Sequence, residues 1–324
     1  MAREMFTVLE WKSFWKDLIL KSVGKDFNSF EVLQEYLENQ DRRILFIVDG
    51  LEELLGKTSE SEHEKVAIRA LCQGVVNELR SFVDGRIGLI VFLRNDVAMN
   101  SIKQNWGQFR AQYTAFELKW THVEALRLAL WLANKVDSNI YPPEGIAIEN
   151  ATREILERSL YPLWGVKLGK PDSREAYSAN WIINVLSDLN GQLQARDMVR
   201  FLFHAAIESQ NSSVTDRYLA PKAIRSAIKP CSEEKIKEIG DEMPMIEVVF
   251  NKFRSKPLEQ RQIPFQLEDY DLSSSEVKLL DQQGYLVELD DGYYMPEIIR
   301  LGLGFKIQKK GRPKVFTLAN SYKR

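Results

Sequence analysis

Ile44-Leu-Phe-Ile-Val48 is an apolar run without alternation, closed by Arg42 and Arg43 on one side and by Asp49-Gly50 on the other. A run that short, bounded by charge and glycine, predicts a strand buried on both faces, as in the middle of a parallel sheet. Its carboxyl end carries Asp49, then Glu52 and Glu53. Ligands of open α/β sheets bind at that end of the strands. A buried strand running into an acidic helix start is the structural alternative, since carboxylates favour the positive end of a helix.

The surrounding pattern agrees with an α/β sheet. Met5, Leu9, Phe14, Trp15 and Leu18 recur near helical spacing, as do Phe30, Leu33 and Leu37, so two helices precede the strand. Glu62 to Phe82 reads as a long helix, Asp84-Gly85 as a turn, and Ile87 to Leu93 as a second apolar strand. Strand, helix, strand predicts parallel neighbours joined by a right-handed crossover. A third strand is expected over Thr114 to Leu118, before Thr121-His-Val-Glu124 opens a helix to about Val136.

Asp49-Gly-Leu-Glu-Glu-Leu54 after such a strand resembles the Walker B segment of P-loop NTPases, and most closely that of the STAND signalling ATPases, relatives of the AAA+ proteins. The resemblance implies that Asp49 organises Mg²⁺ and that Glu52 or Glu53 polarises the attacking water. The second strand ends in Phe92-Leu93-Arg94, and Arg94 matches the family's sensor position near the γ-phosphate, where a guanidinium binds phosphate oxygens bidentately. A local pair with Asp96 is the plainer use of that arginine. Gln194-Ala-Arg-Asp-Met-Val-Arg200 is similar to the start of the family's second sensor helix. Arg196 then matches the phosphate-reaching arginine, with Arg200 one turn on; a surface arginine paired across helix turns is the alternative. The family often has proline where this chain has Ala195.

One motif is missing. A phosphate loop needs Gly-x4-Gly-Lys-Ser/Thr, so that backbone N–H groups cradle phosphate and the lysine reaches the β/γ oxygens. Gly50-Leu-Glu-Glu-Leu-Leu-Gly56-Lys57-Thr58 has five residues between its glycines, and Glu52 and Glu53 would repel phosphate. The resemblance therefore places the loop ahead of residue 1. The chain is then a piece of a longer one, or a partner chain supplies the loop, or the site is degenerate. ATP and Mg²⁺ are cofactors on condition that the loop is supplied, and the chain alone is expected to have negligible ATPase activity.

Pro142-Pro143 and several glycines mark 137 to 175 as a linker into a helical region. Beyond Pro230 the order is helices, then Tyr285-Leu-Val-Glu-Leu289, Asp290-Asp-Gly292 and Tyr293-Tyr-Met295 as a hairpin. This resembles a winged helix, a common companion of STAND modules. Phe305 to Gln308 and Lys314 to Leu318 are expected to pair across Lys309-Lys-Gly-Arg-Pro313. The expected organisation is an incomplete P-loop NTPase-like α/β core over 1–136, a helical lid over 137–230 and a winged helix over 231–324.

Charge places any nucleic-acid contact. The 324 residues carry a net charge of −2, so attraction to nucleic acid must be local. Residues 301–324 hold Lys306, Lys309, Lys310, Arg312 and Lys314 without an acidic residue, and Lys309 to Lys314 resembles the core of a minor-groove AT-hook. DNA is the partner this implies, and a solvated turn on a protein-interaction wing is the equal alternative. Cys72 and Cys231 form no disulfide framework and suit a reducing cytoplasm. No apolar run is long enough for a membrane span, the N-terminus lacks a signal-peptide layout, and His63, His122 and His204 lack metal spacing. The function expected is part of an ATP-dependent switch, as in bacterial regulators and defence sensors, with oligomers compatible. A non-catalytic nucleic-acid- or protein-binding adaptor on a degenerate NTPase fold is the other class.

Overall fold

The computed structural model describes residues 6–51, 55 and 61–308. It is mixed α/β and mainly helical, and its chain divides into two compact units, Met1–Glu117 and Leu118–Arg324.

In the first unit, Thr7 caps α1 (Val8–Lys21) in a reciprocal box, with the Glu10 N–H donating to Thr7 Oγ1 and the Thr7 N–H to the Glu10 carboxylate. α2 (Phe30–Asn39) follows with Ser29 as its cap, then β1 (Ile44–Val48). The long crossover helix α3 runs through Glu62–Arg69, a π-helical segment Ala70–Val75, and Val76–Arg80. The π segment includes Gly74, which lies beside the Lys12 stem of α1; a Cβ there would make only an ordinary contact with it. β2 (Ile87–Val91) then lies parallel to β1, with Ile44 beside Ile87 and Val48 beside Val91. α4 (Asn95–Ser101) and α5 (Trp106–Tyr113) complete the unit. Trp15, Phe30, Leu33, Ile68 and Leu71 are the buried centre, and the Trp15 indole N–H donates to the Ala67 carbonyl at 2.9 Å.

Two expectations are corrected here. β1 is not covered on both faces: Ile44, Phe46 and Val48 pack inward, but Leu45 and Ile47 are 56% and 63% exposed. An unalternating run shows that either face tolerates burial, not that both are covered. Thr114 to Leu118 is not a strand. Thr114–Phe116 is a 3-10 turn continuing α5, where the Thr114 hydroxyl donates to the Arg110 carbonyl at 2.7 Å.

The second unit opens with α6 (His122–Val136), capped by Thr121. It continues through α7 (Arg153–Ser159), the turn α8 (Tyr161–Trp164), α9 (Ser178–Leu186) and α10 (Ala195–Ser209). α11 (Pro221–Ser226), α12 (Ile228–Glu242) and α13 (Pro244–Arg254) follow, with Pro244 starting the last of them. Then come β3 (Gln262–Ile263), α14 (Ser274–Gln282), β4 (Val287–Leu289), β5 (Gly292–Tyr294), α15 (Glu297–Gly302) and β6 (Lys306–Ile307). Trp164, Phe201, Phe250, Phe253 and Phe305 are fully buried. Gly302 allows α15 to lie tight on α12, since a Cβ there would meet the Ser232 carbonyl at 2.4 Å.

The expected box Ser273–Glu276 forms in both directions, and β4 and β5 pair antiparallel. Lys306-Ile307 pairs with Gln262-Ile263, in parallel, a contact the sequence did not suggest; Lys314 to Leu318, the other half of the expected terminal hairpin, lie outside the described residues. Arg261 holds that junction through the carbonyls of Arg254, Lys256 and Leu303, each at 2.8–2.9 Å. Among the described residues no helix is long and apolar enough to cross a membrane.

Candidate functional site

The carboxyl end of the β1–β2 pair is built by register. The Ile44 N–H donates to the Arg86 carbonyl at 2.9 Å, and the Phe92 N–H to the Val48 carbonyl at 2.8 Å, so the strands stay side by side up to Asp49. Asp49 is exposed, and its Oδ1 accepts the Gly50 N–H at 2.9 Å. Gly50 has φ of +74°, a conformation that glycine adopts without strain, and it turns the chain so that Leu51 drops into the core. Arg94 stands beyond the end of β2 as the residue before α4; it is half-buried, and its carbonyl accepts the Ala98 N–H at 3.0 Å. Parallel pairing therefore puts Asp49 and Arg94 at the same end of one sheet. Glu52, Glu53 and the Gly56-Lys57-Thr58 sequence lie outside the described residues.

An exposed carboxylate at a strand end has the chemistry to hold one face of Mg²⁺. That ion keeps several waters and takes only one or two protein carboxylates when phosphates fill its remaining positions. The donor set at Asp49 fits such partial ligation. Among the described residues no group of three or more His, Cys, Asp or Glu could hold a metal by itself.

Arg196 and Arg200 occupy one face of α10 against α12. Arg196 Nη1 lies 2.9 Å from Glu238 and 3.4 Å from Glu242. Arg200 pairs with Glu238, with Glu234 at 3.1 Å and, more distantly, with Asp197 at 3.6 Å. His204 continues the row with Glu234 at 2.7 Å. Beneath it Asp197 is 1% exposed and meets the nearly buried Lys235 at 3.0 Å. Burial raises the Asp197 pKa, and Lys235 opposes that rise. Asp197, Glu234, Lys235, Glu238 and Glu242 are partners the sequence reading passed over. The signal was available: Arg196, Arg200 and His204 recur at four-residue spacing, as do Glu234, Glu238 and Glu242.

Asp188 lies close to this network. Its Oδ1 accepts the Gln192 N–H at 2.8 Å in the turn between α9 and α10. Burial pushes its carboxyl up to about 7, assisted by Asp197 and opposed by the Gln192 and Asn190 N–H groups and by Lys235.

Lys306 is exposed on β6, while Lys309, Lys310, Arg312 and Lys314 lie outside the described residues. Cys72 and Cys231 are buried free thiols held as neutral groups, each pushed up to about 12 by burial. No protein-family model, curated protein or solved structure matches the chain.

Proposed function

We propose that this chain is part of an ATP-dependent molecular switch of the STAND/AAA+ kind, acting in regulation or defence, with its phosphate loop supplied from outside the chain. The supporting observation is the parallel β1–β2 pair with Asp49 and Arg94 at its carboxyl end. In this reading Asp49 holds Mg²⁺, Arg94 meets nucleotide phosphate, and Glu52 or Glu53 orients water. The finer architecture belongs to the same proposal: an incomplete P-loop-type sheet, a helical lid and a winged helix. The helix–hairpin order α14, β4, β5 supports the last of these.

The test is where a metal–nucleotide complex sits. With the segment or partner that carries the phosphate loop present, Mn²⁺ with ATP should broaden backbone NMR signals around Asp49 and Arg94, and Asp49→Ala should remove that broadening. Equal broadening in the variant would reject the assignment.

A second reading, a non-catalytic nucleic-acid- or protein-binding adaptor, is favoured by the carboxylates around Arg196 and Arg200. Each arginine would have to leave those partners before meeting phosphate. The DNA form of this reading expects a slope of log affinity against log salt of about −3 to −4, as each neutralised phosphate adds roughly 0.9. Lys309→Ala/Lys310→Ala/Arg312→Ala should flatten it in fluorescence anisotropy. Binding that ignores salt, or survives the triple change intact, would discard DNA as the partner.

A further inference from the structure

The outer edge of β1 is complementary to itself. In a parallel pair alternate residues turn their N–H and C=O groups toward the neighbouring strand. Ile44 and Val48 face β2 in this way, so Leu45 and Ile47 direct theirs to the outer edge. The same two residues expose their side chains on the open face of the sheet, beside exposed Ile90 and Phe92. Arg43 and Asp49, of the same parity, are both exposed at the two ends of the strand. An edge whose Leu45 and Ile47 backbone groups find no partner among the described residues, with apolar side chains and opposite charges at its ends, is a template for another strand.

We propose that the occupant is a second copy of this chain, added through an antiparallel β1–β1 contact across a two-fold axis at Phe46. That register sets Leu45 opposite Ile47 of the second copy as a pair exchanging both backbone hydrogen bonds. It sets Arg43 opposite Asp49 of the second copy, and the axis repeats both pairs. The product is one four-stranded sheet in the order β2-β1-β1-β2, its open apolar face continuous across the axis. A parallel approach in matched register would instead bring Arg43 toward Arg43. Opposite charges facing each other stabilise a strand pair and like charges destabilise it, and a two-fold contact is the commonest way for identical chains to associate. The inference does not rest on the nucleotide reading. Because Mg²⁺ at Asp49 would compete with the Arg43 contact, association is measured without metal or nucleotide.

Sedimentation equilibrium of the full chain should show a reversible dimer, with amide exchange at Leu45 and Ile47 slowing as concentration rises. Ile47→Lys should leave a monomer. Arg43→Glu and Asp49→Lys should each weaken association roughly tenfold or more, because each places like charges opposite one another twice. The two changes together should restore it. All three residues are exposed, so circular dichroism should be unchanged in every variant. A monomer at every concentration, a dimer indifferent to Ile47→Lys, or a double variant as weak as the single ones would overturn the proposal.

Discussion

Asp197→Ala is expected to destabilise the second unit by about 3–5 kcal/mol, the range for removing one partner of a buried ion pair. Asp197 reaches Lys235 at 3.0 Å and also accepts the Gln194 N–H at 3.3 Å in the capping arrangement that opens α10. Alanine would leave the Lys235 ammonium inside a nearly closed site and the Gln194 N–H without its acceptor. Lys235→Met should cost less, because the aspartate left behind already has a raised pKa and can take up a proton. The two changes combined should cost less than their sum. Urea unfolding followed through NMR signals of residues 195–242 measures this. A loss below about 1 kcal/mol for Asp197→Ala would mean that Lys235 swings into water and that the pair does not support the helix contact.

The second large effect is a pH dependence centred on Asp188. Burial pushes its carboxyl up to about 7 in the folded chain, from the ordinary 3.8 of an unfolded one. The folded state therefore binds the proton more tightly between those values, and stability must fall as pH rises through that window. Three units at 1.36 kcal/mol each amount to about 4 kcal/mol, fully expressed above pH 7 and absent below the unfolded value. Other titrating groups add their own slopes, so the measurement is the difference between wild type and Asp188→Asn. Asparagine keeps an acceptor for the Gln192 N–H without the buried charge. The variant should gain stability over wild type at pH 8 and lose the advantage near pH 4. Parallel stability curves from pH 4 to 8 would show that Asp188 reaches solvent. The turn is also where Leu189 donates to the Gly284 carbonyl at 2.9 Å. Protection of the Leu189 amide, taken relative to the intrinsic exchange rate at each pH, should therefore rise on acidification in wild type and not in Asp188→Asn.

What could be read in the sequence follows the length of each signal. β1, the crossover helix and β2 were legible because a long helical period between two apolar runs admits one arrangement. Ser273–Glu276 was legible because a capping box is local chemistry. The exposure of Leu45 and Ile47 was not, since composition describes what a side chain tolerates and not what lies above it. The β3–β6 pair was out of reach: two-residue strands carry no period, and their register depends on Arg261 gathering carbonyls from both sides. At the candidate site, Asp49 and Arg94 followed from strand ends. The network around Arg200 was encoded as two charge ladders, but only folding brings α10 against α12.

The central claim is that Asp49 and Arg94 form the metal- and phosphate-binding end of β1–β2, and paramagnetic mapping addresses it directly. With the phosphate loop supplied from outside the chain, a trace of Mn²⁺ standing in for Mg²⁺, added with ATP, should broaden the amides of Asp49, Gly50, Leu93 and Arg94 before any others. Asp49→Ala should abolish the effect. Arg94→Ala should weaken ATP about tenfold or more while sparing metal alone, since a hydrogen bond to a charged group is worth about 1.5–3 kcal/mol. Broadening that begins elsewhere, or that persists unchanged in Asp49→Ala, would contradict the assignment and leave the adaptor reading in its place.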